Sequence, residues 1–165
     1  MAFRDLLAGA TEINDEISVN HDMLNHSKSI DHKAVVFNNI SEAKGLRSAI
    51  NVLARDRLCS IFDITPGELI DILAWAMANP QEPDIISPDN SPVFENTQDV
   101  TDLTKIPIPW HYPEDRGRYQ SASVIIAEYD GIRNMSFHRQ FLRDGNHCVS
   151  RFVPRHLRTM TDKAR

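Results

Sequence analysis

Asn134, Arg139 and His156 fall within one stretch, Arg133 to Met160 (RNMSFHRQFLRDGNHCVSRFVPRHLRTM), which sets an amide, a guanidinium and an imidazole into strand-like sequence. An arginine is a planar fork of donors that keeps its charge at working pH, so Arg139 suits a carboxylate or a carbonyl edge; it polarises but does not act as a base. Arg133, Arg139, Arg143, Arg151, Arg155 and Arg158 give the last third a positive local sign that suits an anionic cofactor or substrate. For any one of them, a solvated strand edge guarded by arginine is an equally good account. Taken by type alone, an Asn after a turn satisfies backbone groups and a His after Pro caps or packs.

The elements that must position these groups are legible around them. Ile132 to Arg143 reads as an extended run, Asp144-Gly145-Asn146 as a turn, and His147 to Val153 as the return strand of a hairpin. Pro154 stops the sheet, and Arg155 to Lys163 reads as a short helix. Upstream, Ser121 to Tyr129 alternates briefly and becomes VIIA, as a strand buried on both faces would, and Asp130-Gly131 turns tightly into Ile132. Three strands with two tight turns make a meander. Strict alternation puts Asn134 and Arg139 on opposite faces, and a bulge near Ser136 or His138 would reconcile them. His138 itself reads as a surface-facing strand residue, with proton donation as the alternative.

Four pieces together, DLTKIPIPWHYPEDRGRY (Asp102 to Tyr119), SASVIIAEY, RNMSFHRQ and VPRHL (Val153 to Leu157), resemble the UbiD family of reversible decarboxylases. The resemblance covers the last third of the chain; the first hundred residues are similar to that family's leading α/β domain more loosely. It implies prenylated FMN as cofactor, with Mn²⁺ or Mg²⁺ and K⁺ as an optional further ion. It places Asn134 and His156 on the metal that holds the flavin phosphate, Ser136 and Arg155 beside them in cofactor binding, and Arg139 in the active site. Asn134 and His156 would supply one oxygen and one nitrogen, too few for a protein-only shell, so the metal would arrive with the flavin phosphate and a carboxylate from elsewhere.

The implied reaction is decarboxylation of an unsaturated or aromatic carboxylic acid, and the arginine-rich final third leans towards a phosphorylated acid of isoprenoid type. One departure is large. In the family the third metal carboxylate and the catalytic Glu lie downstream of the PxH element, and no residue here matches either. The expectation is therefore a carboxy-lyase incomplete without a further chain or segment, working as a homo-oligomer or with a second chain that supplies the catalytic carboxylates. The alternative is a non-catalytic subunit that binds a flavin, a phosphate or a partner.

Composition limits the remaining classes. A chain of 165 residues with 41% hydrophobic residues buries the core of one domain, or of a domain plus a few strands. A net charge of −5 provides no basic field for a phosphate backbone, so nucleic acid is not expected as a partner. Cys59 and Cys148 form no CxxC pair and read as reduced thiols. Without an N-terminal apolar leader or a membrane-length apolar run, a soluble cytoplasmic protein with no membrane partner is expected.

The fold class read from the pattern is α/β (α+β): an N-terminal mixed α/β domain over 1–92 with a proline-rich linker at its end, then over 93–165 the first strands of a split β-barrel (FMN-binding-like) with a short C-terminal helix. Phe3, Leu6, Leu7 and Ala10 have helical spacing, Thr11 to Val19 reads as strand, His21 to Ile30 as helix, and Ala34 to Phe37 and Ser48 to Leu53 as strands. Arg55 to Phe62 is expected to be helical. Thr65-Pro66-Gly67-Glu68 opens another helix running to about Ala78, whose Leu69, Ile72, Leu73 and Ala76 face, with Trp75 and Met77, reads as packing. Pro80, Pro83, Pro88 and Pro92 mark the linker, and Val93-Phe94 is expected as a short strand. Pro107, Pro109 and Pro113 keep Asp102 to Pro113 extended. Arg116-Gly117-Arg118-Tyr119 reads as a turn rather than a phosphate loop. His21, His26 and His32 lack ligand spacing and read as polar surface.

Overall fold

The computed structural model describes residues 3–29, 33–97, 99 and 101–165. Among the described residues, two three-stranded sheets lie in the two halves of the chain. In the first, β1 (Thr11–Ile13) pairs in parallel with β2 (Val35–Phe37), and β2 pairs antiparallel with β3 (Ser48–Ile50). The parallel step needs a crossover, which α1 (Asp22–Ser29) supplies. The β2 residues Val35, Val36 and Phe37 are all buried, and with Ile17, Val19, Met23, Ile40 and Ala43 they hold the core.

The strand expected over Thr11 to Val19 ends at Ile13 because β2 offers only three residues before Asn38 and Asn39. Beyond it the chain makes isolated bridges, Ile17 with Ile40 and Asn20 with Trp110. β3 is likewise three residues rather than the six expected. The opening helix is a 3₁₀ turn, Phe3–Leu7, followed by Gly9 at φ 70°; Arg57 holds it by donating from Nη2 to the carbonyls of Leu6 and Ala8, 2.6 and 2.7 Å away. Ile30 and His32, the end of one expected helix and one of the three early histidines, lie outside the described residues.

α2 (Arg55–Phe62) and α3 (Pro66–Ala78) have the expected bounds. Asp63, at φ 53°, closes α2 in the left-handed region, and its N–H returns to the carbonyls of Cys59 and Ser60. Thr65 and Glu68 form the reciprocal capping box that opens α3: Thr65 Oγ1 accepts from Glu68 N at 3.3 Å, and Glu68 Oε2 accepts from Thr65 N at 2.7 Å. The packing expected of α3 is absent. No α3 residue is buried, and Ile70, Trp75 and Met77 are 67%, 61% and 85% exposed, since α2 is its main neighbour and covers little of it.

Pro88–Asn90 and Pro92–Phe94 are 3₁₀ turns, so the short strand expected at Val93–Phe94 is instead a turn that Pro92 opens. The following segment is bound to the first core: Trp110 N donates to Val19 O at 2.9 Å and Trp110 O accepts from His21 N at 3.0 Å. Arg118 then ties it down. Its Nε and Nη1 donate to the carbonyls of Ile108 and Thr104 at 2.7 and 3.0 Å, and Nη2 donates to Ile106 O. Burial lowers the Arg118 pKa, while the nearby charges of Glu42 and Asp102 oppose that shift. Arg118 thus serves the backbone, in keeping with a turn, which ends before Tyr119.

The second sheet is an antiparallel meander of β4 (Tyr119–Tyr129), β5 (Ile132–Leu142) and β6 (Cys148–Ser150). Asp130 and Gly131, at φ 52° and 71°, make the two-residue turn whose doubly left-handed backbone matches strand twist. β4 is not buried on both faces: Val124 and Ile126 are 47% and 63% exposed. β6 is shorter than the expected His147 to Val153, because it pairs only with Gln140 to Leu142. α4 (His156–Lys163) packs on β4 and β5, burying Leu157 and Met160, and its Lys163 carbonyl accepts from the Tyr129 hydroxyl at 3.0 Å. Cys59 is buried and Cys148 half-buried, both as free thiols. Among the described residues no helix is long and apolar enough to cross a membrane.

Candidate cofactor site

Period-two alternation along β5 decides which side chains share a face. Asn134, Ser136 and His138 are half-buried, whereas Met135, Phe137 and Arg139 between them are exposed. Asn134 Nδ2 donates to Ser136 Oγ at 3.2 Å, and Ser136 Oγ lies 2.9 Å from His138 Nε2. The His138 ring meets Phe152 edge-on, centroids 5.0 Å apart. His138 is therefore an inward residue of the Asn134 face, not the surface histidine expected.

α4 brings the imidazole to this face. Pro154 ends the extended chain, Arg155 caps α4 without a side-chain hydrogen bond, and His156 is its first residue. Two adjoining cavities of about 260 and 460 Å³ are both lined by Asn134 and His156. Ser136, His138 and Arg155 line the larger; Asp130, Arg133 and Lys163 line the smaller. Asn134, Ser136, Arg155 and His156 are thus brought together. Arg139 lines neither cavity and lies over the Tyr119 ring, 4.9 Å from its centroid. No bulge occurs in β5; the register shift falls on β4 between Gln120 and Ser123, so Asn134 and Arg139 stay on opposite faces.

An amide oxygen and an imidazole nitrogen are donors that a hard divalent ion accepts when phosphate or water oxygens fill the rest of its shell. Arg155 and Lys163 beside them favour an anion, while Arg133 is paired with Glu128 at 3.0 Å. The donor set fits a metal that arrives with a phosphate. Among the described residues no three His, Cys, Asp or Glu side chains group as a metal site, so a metal there would need a further ligand. The early histidines do other work: His21 packs against Trp110 and His26 against Phe37.

Residues 85–165, which contain this whole site, match the model of the UbiD family described as the 3-octaprenyl-4-hydroxybenzoate carboxy-lyase Rift-related domain. This half of the chain belongs to the UbiD family. The anhydromevalonate phosphate decarboxylase of Methanosarcina mazei is 32% identical over 131 residues, 79% of this chain and 30% of that protein. The enzyme of the same name from Archaeoglobus fulgidus is 29% identical over 175 residues, 99% of this chain and 38% of that protein. In structure, the UbiD-class enzyme HmfF from Pelotomaculum thermopropionicum, solved in complex with FMN, superposes with a TM-score of 0.86 at 24% identity over 98% of this chain and 39% of that one. The UbiD fold extends over both sheets, and the chain spans well under half the length of these relatives.

The sequence reads His138, which lines the larger cavity, as a surface-facing residue with proton donation as the alternative. His138 has the same parity as Asn134 and Ser136, and that alternation was the signal that could have placed it inward.

Proposed function

We propose that this chain is the cofactor-holding part of a UbiD-type carboxy-lyase that removes CO₂ from an unsaturated carboxylic acid, and that a further polypeptide or segment completes it. The observation that carries the reading is the meeting of Asn134 and His156, from β5 and α4, at two shared cavities within the UbiD-family half. Asn134 and His156 would ligate Mn²⁺ or Mg²⁺, and Arg155 would contact the phosphate end of a prenylated FMN, with Ser136 beside it holding the Asn134 amide. When bound, the flavin supplies an electron sink for loss of CO₂. The chain's own part is to anchor, orient and neutralise. Arg155 and Lys163 balance phosphate charge, and Arg139 would offer its fork of donors to a ring edge or a carboxylate.

A phosphorylated unsaturated acid is the substrate class favoured, supported by the names of the sequence relatives and by the cations of the last third. The second reading is a subunit that binds flavin phosphate and performs no chemistry; it is favoured by Asp130 being the lone carboxylate among the cavity-lining residues. The test titrates Mn²⁺ and FMN, together and singly, into the wild-type chain and into Asn134→Ala and His156→Ala. Each should strengthen binding of the other in the wild type, and either substitution should abolish that coupling. Equal FMN affinity in all three proteins, with or without metal, overturns the reading.

A further inference from the structure

The inward face of β5 carries a hydrogen-bonded file, Asn134 to Ser136 to His138, that metal binding alone does not account for. Residues two apart on a strand share a face, so the three side chains stand in one row without distorting the backbone. A serine hydroxyl has one proton to give and lone pairs to receive. Ser136 Oγ receives from Asn134 Nδ2 at 3.2 Å, so its own proton is free to go to His138 Nε2 at 2.9 Å. With that proton given to the ring, Nε2 is the bare nitrogen and the neutral ring carries its proton on Nδ1, the tautomer that the proposal below requires. The edge-on contact with Phe152, 73° between planes, holds the ring in this orientation.

The direction of the file decides which end of the amide is free. With Nδ2 committed to Ser136, Oδ1 is left for the cavities shared with His156. Were the file reversed, with Nε2–H donating to Ser136 and Ser136 donating to Oδ1, the free end would be Nδ2, a donor that repels a cation. We propose that His138 is a positioning residue: acting through Ser136, it sets the Asn134 amide so that its carbonyl oxygen, the one amide atom able to ligate a cation, faces the site. The consequence for metal binding rests on the function proposed above; the orientation itself does not.

The experiment has two arms. In the first, the ¹⁵N-labelled full chain is studied by NMR without added ligand, reading the His138 tautomer and the exchange of the Asn134 side-chain amide protons. The expected result is the Nδ1–H tautomer and slowed exchange of one Asn134 amide proton. That slowing should vanish in Ser136→Ala and in His138→Phe, which keeps a ring against Phe152. It should persist in His138→Gln, whose carbonyl can accept from Ser136. A protonated Nε2 in the neutral ring, or unchanged Asn134 exchange in His138→Phe, overturns the proposal, and the wild-type and His138→Gln spectra decide it if His138→Phe does not fold.

In the second arm, Mn²⁺ is titrated in the presence of FMN. Affinity should fall about tenfold in His138→Phe and in Ser136→Ala, the lower end for loss of an outer partner of a metal ligand. It should fall no further in the double variant and return in His138→Gln. Additive losses in the double variant overturn the relay. A wild-type chain that binds no Mn²⁺ with FMN overturns the function proposed above and leaves the relay to be decided by the first arm.

Discussion

Arg139 stacks over the Tyr119 ring, 4.9 Å from its centroid, on the face of β5 opposite to Asn134. The guanidinium is thereby held away from the two cavities that Asn134 and His156 share. Replacement by Ala should leave Mn²⁺ and FMN retention within about twofold of wild type, while turnover of a completed enzyme falls by about a hundredfold or more if Arg139 polarises the substrate or the ring. Titration beside steady-state assay separates the two. Equal turnover would make Arg139 a stacking residue, and a loss of FMN binding matching Asn134→Ala would place it at the phosphate.

Glu42 gathers the segment that runs from β1 into α1. Its carboxylate accepts from the Ser18 hydroxyl, from Val19 N at 3.0 Å and from Asn20 Nδ2 at 3.3 Å. Burial would push this carboxyl up, but the Ser18 and Val19 hydrogen bonds outweigh it and hold the pKa below the ordinary carboxylate value. A carboxyl depressed in the folded state stabilises above its unfolded pKa, and the contribution is lost as pH falls through the folded value. Glu42→Gln should therefore cost about 1–3 kcal/mol at neutral pH. The gap between the two proteins should close on acidification below about pH 4. Urea unfolding of both across pH 3 to 7, by a sloping difference or a flat one, decides this.

Arg118 satisfies three carbonyls of a segment whose Pro107 and Pro109 have no N–H to offer. Arg118→Ala leaves the Ile108 and Thr104 carbonyls without a partner, while Ile106 O keeps the N–H of Ile108, so a loss of about 2–3 kcal/mol is expected, with Arg118→Lys restoring only part of it, since one ammonium cannot span the fork. Thermal unfolding measures both. An unchanged midpoint for Arg118→Ala would mean that water replaces the guanidinium without loss.

Two apolar surfaces stand open: α3, with Ile70, Leu73 and Met77 exposed, and the outer face of the β4–β5 hairpin, with Ile126, Met135 and Phe137 exposed. A helix apolar around its circumference is ordinarily a buried one. The chain alone should associate with itself at micromolar concentration, and Ile70→Glu with Met77→Glu should weaken that association without unfolding the chain. Sedimentation velocity checks it; a monodisperse wild-type monomer contradicts it.

CO₂ release is not expected from the chain by itself loaded with prenylated FMN, since Asp130 is the one carboxylate among the residues that line the two cavities. Appreciable release under single-turnover conditions would sink that expectation.

The sequence by itself determined the features ruled by neighbours along the chain. The Thr65 and Glu68 capping box, the bounds of α2 and α3, the Asp130-Gly131 turn and the stop at Pro154 are local chemistry, acting over a few residues through φ preferences and backbone donors. Alternation in β5 likewise put Asn134 and Arg139 on opposite faces. Only the tertiary structure decided what depends on distant partners. β1 stops at Ile13 because β2 is short, α3 stays exposed because little packs on it, and the register irregularity sits on β4 because it belongs to a pair of strands rather than to one. The meeting of His156 with Asn134 is of this kind. It exists because Leu157 and Met160 bury α4 against the sheet, and no spacing along the chain carries that information.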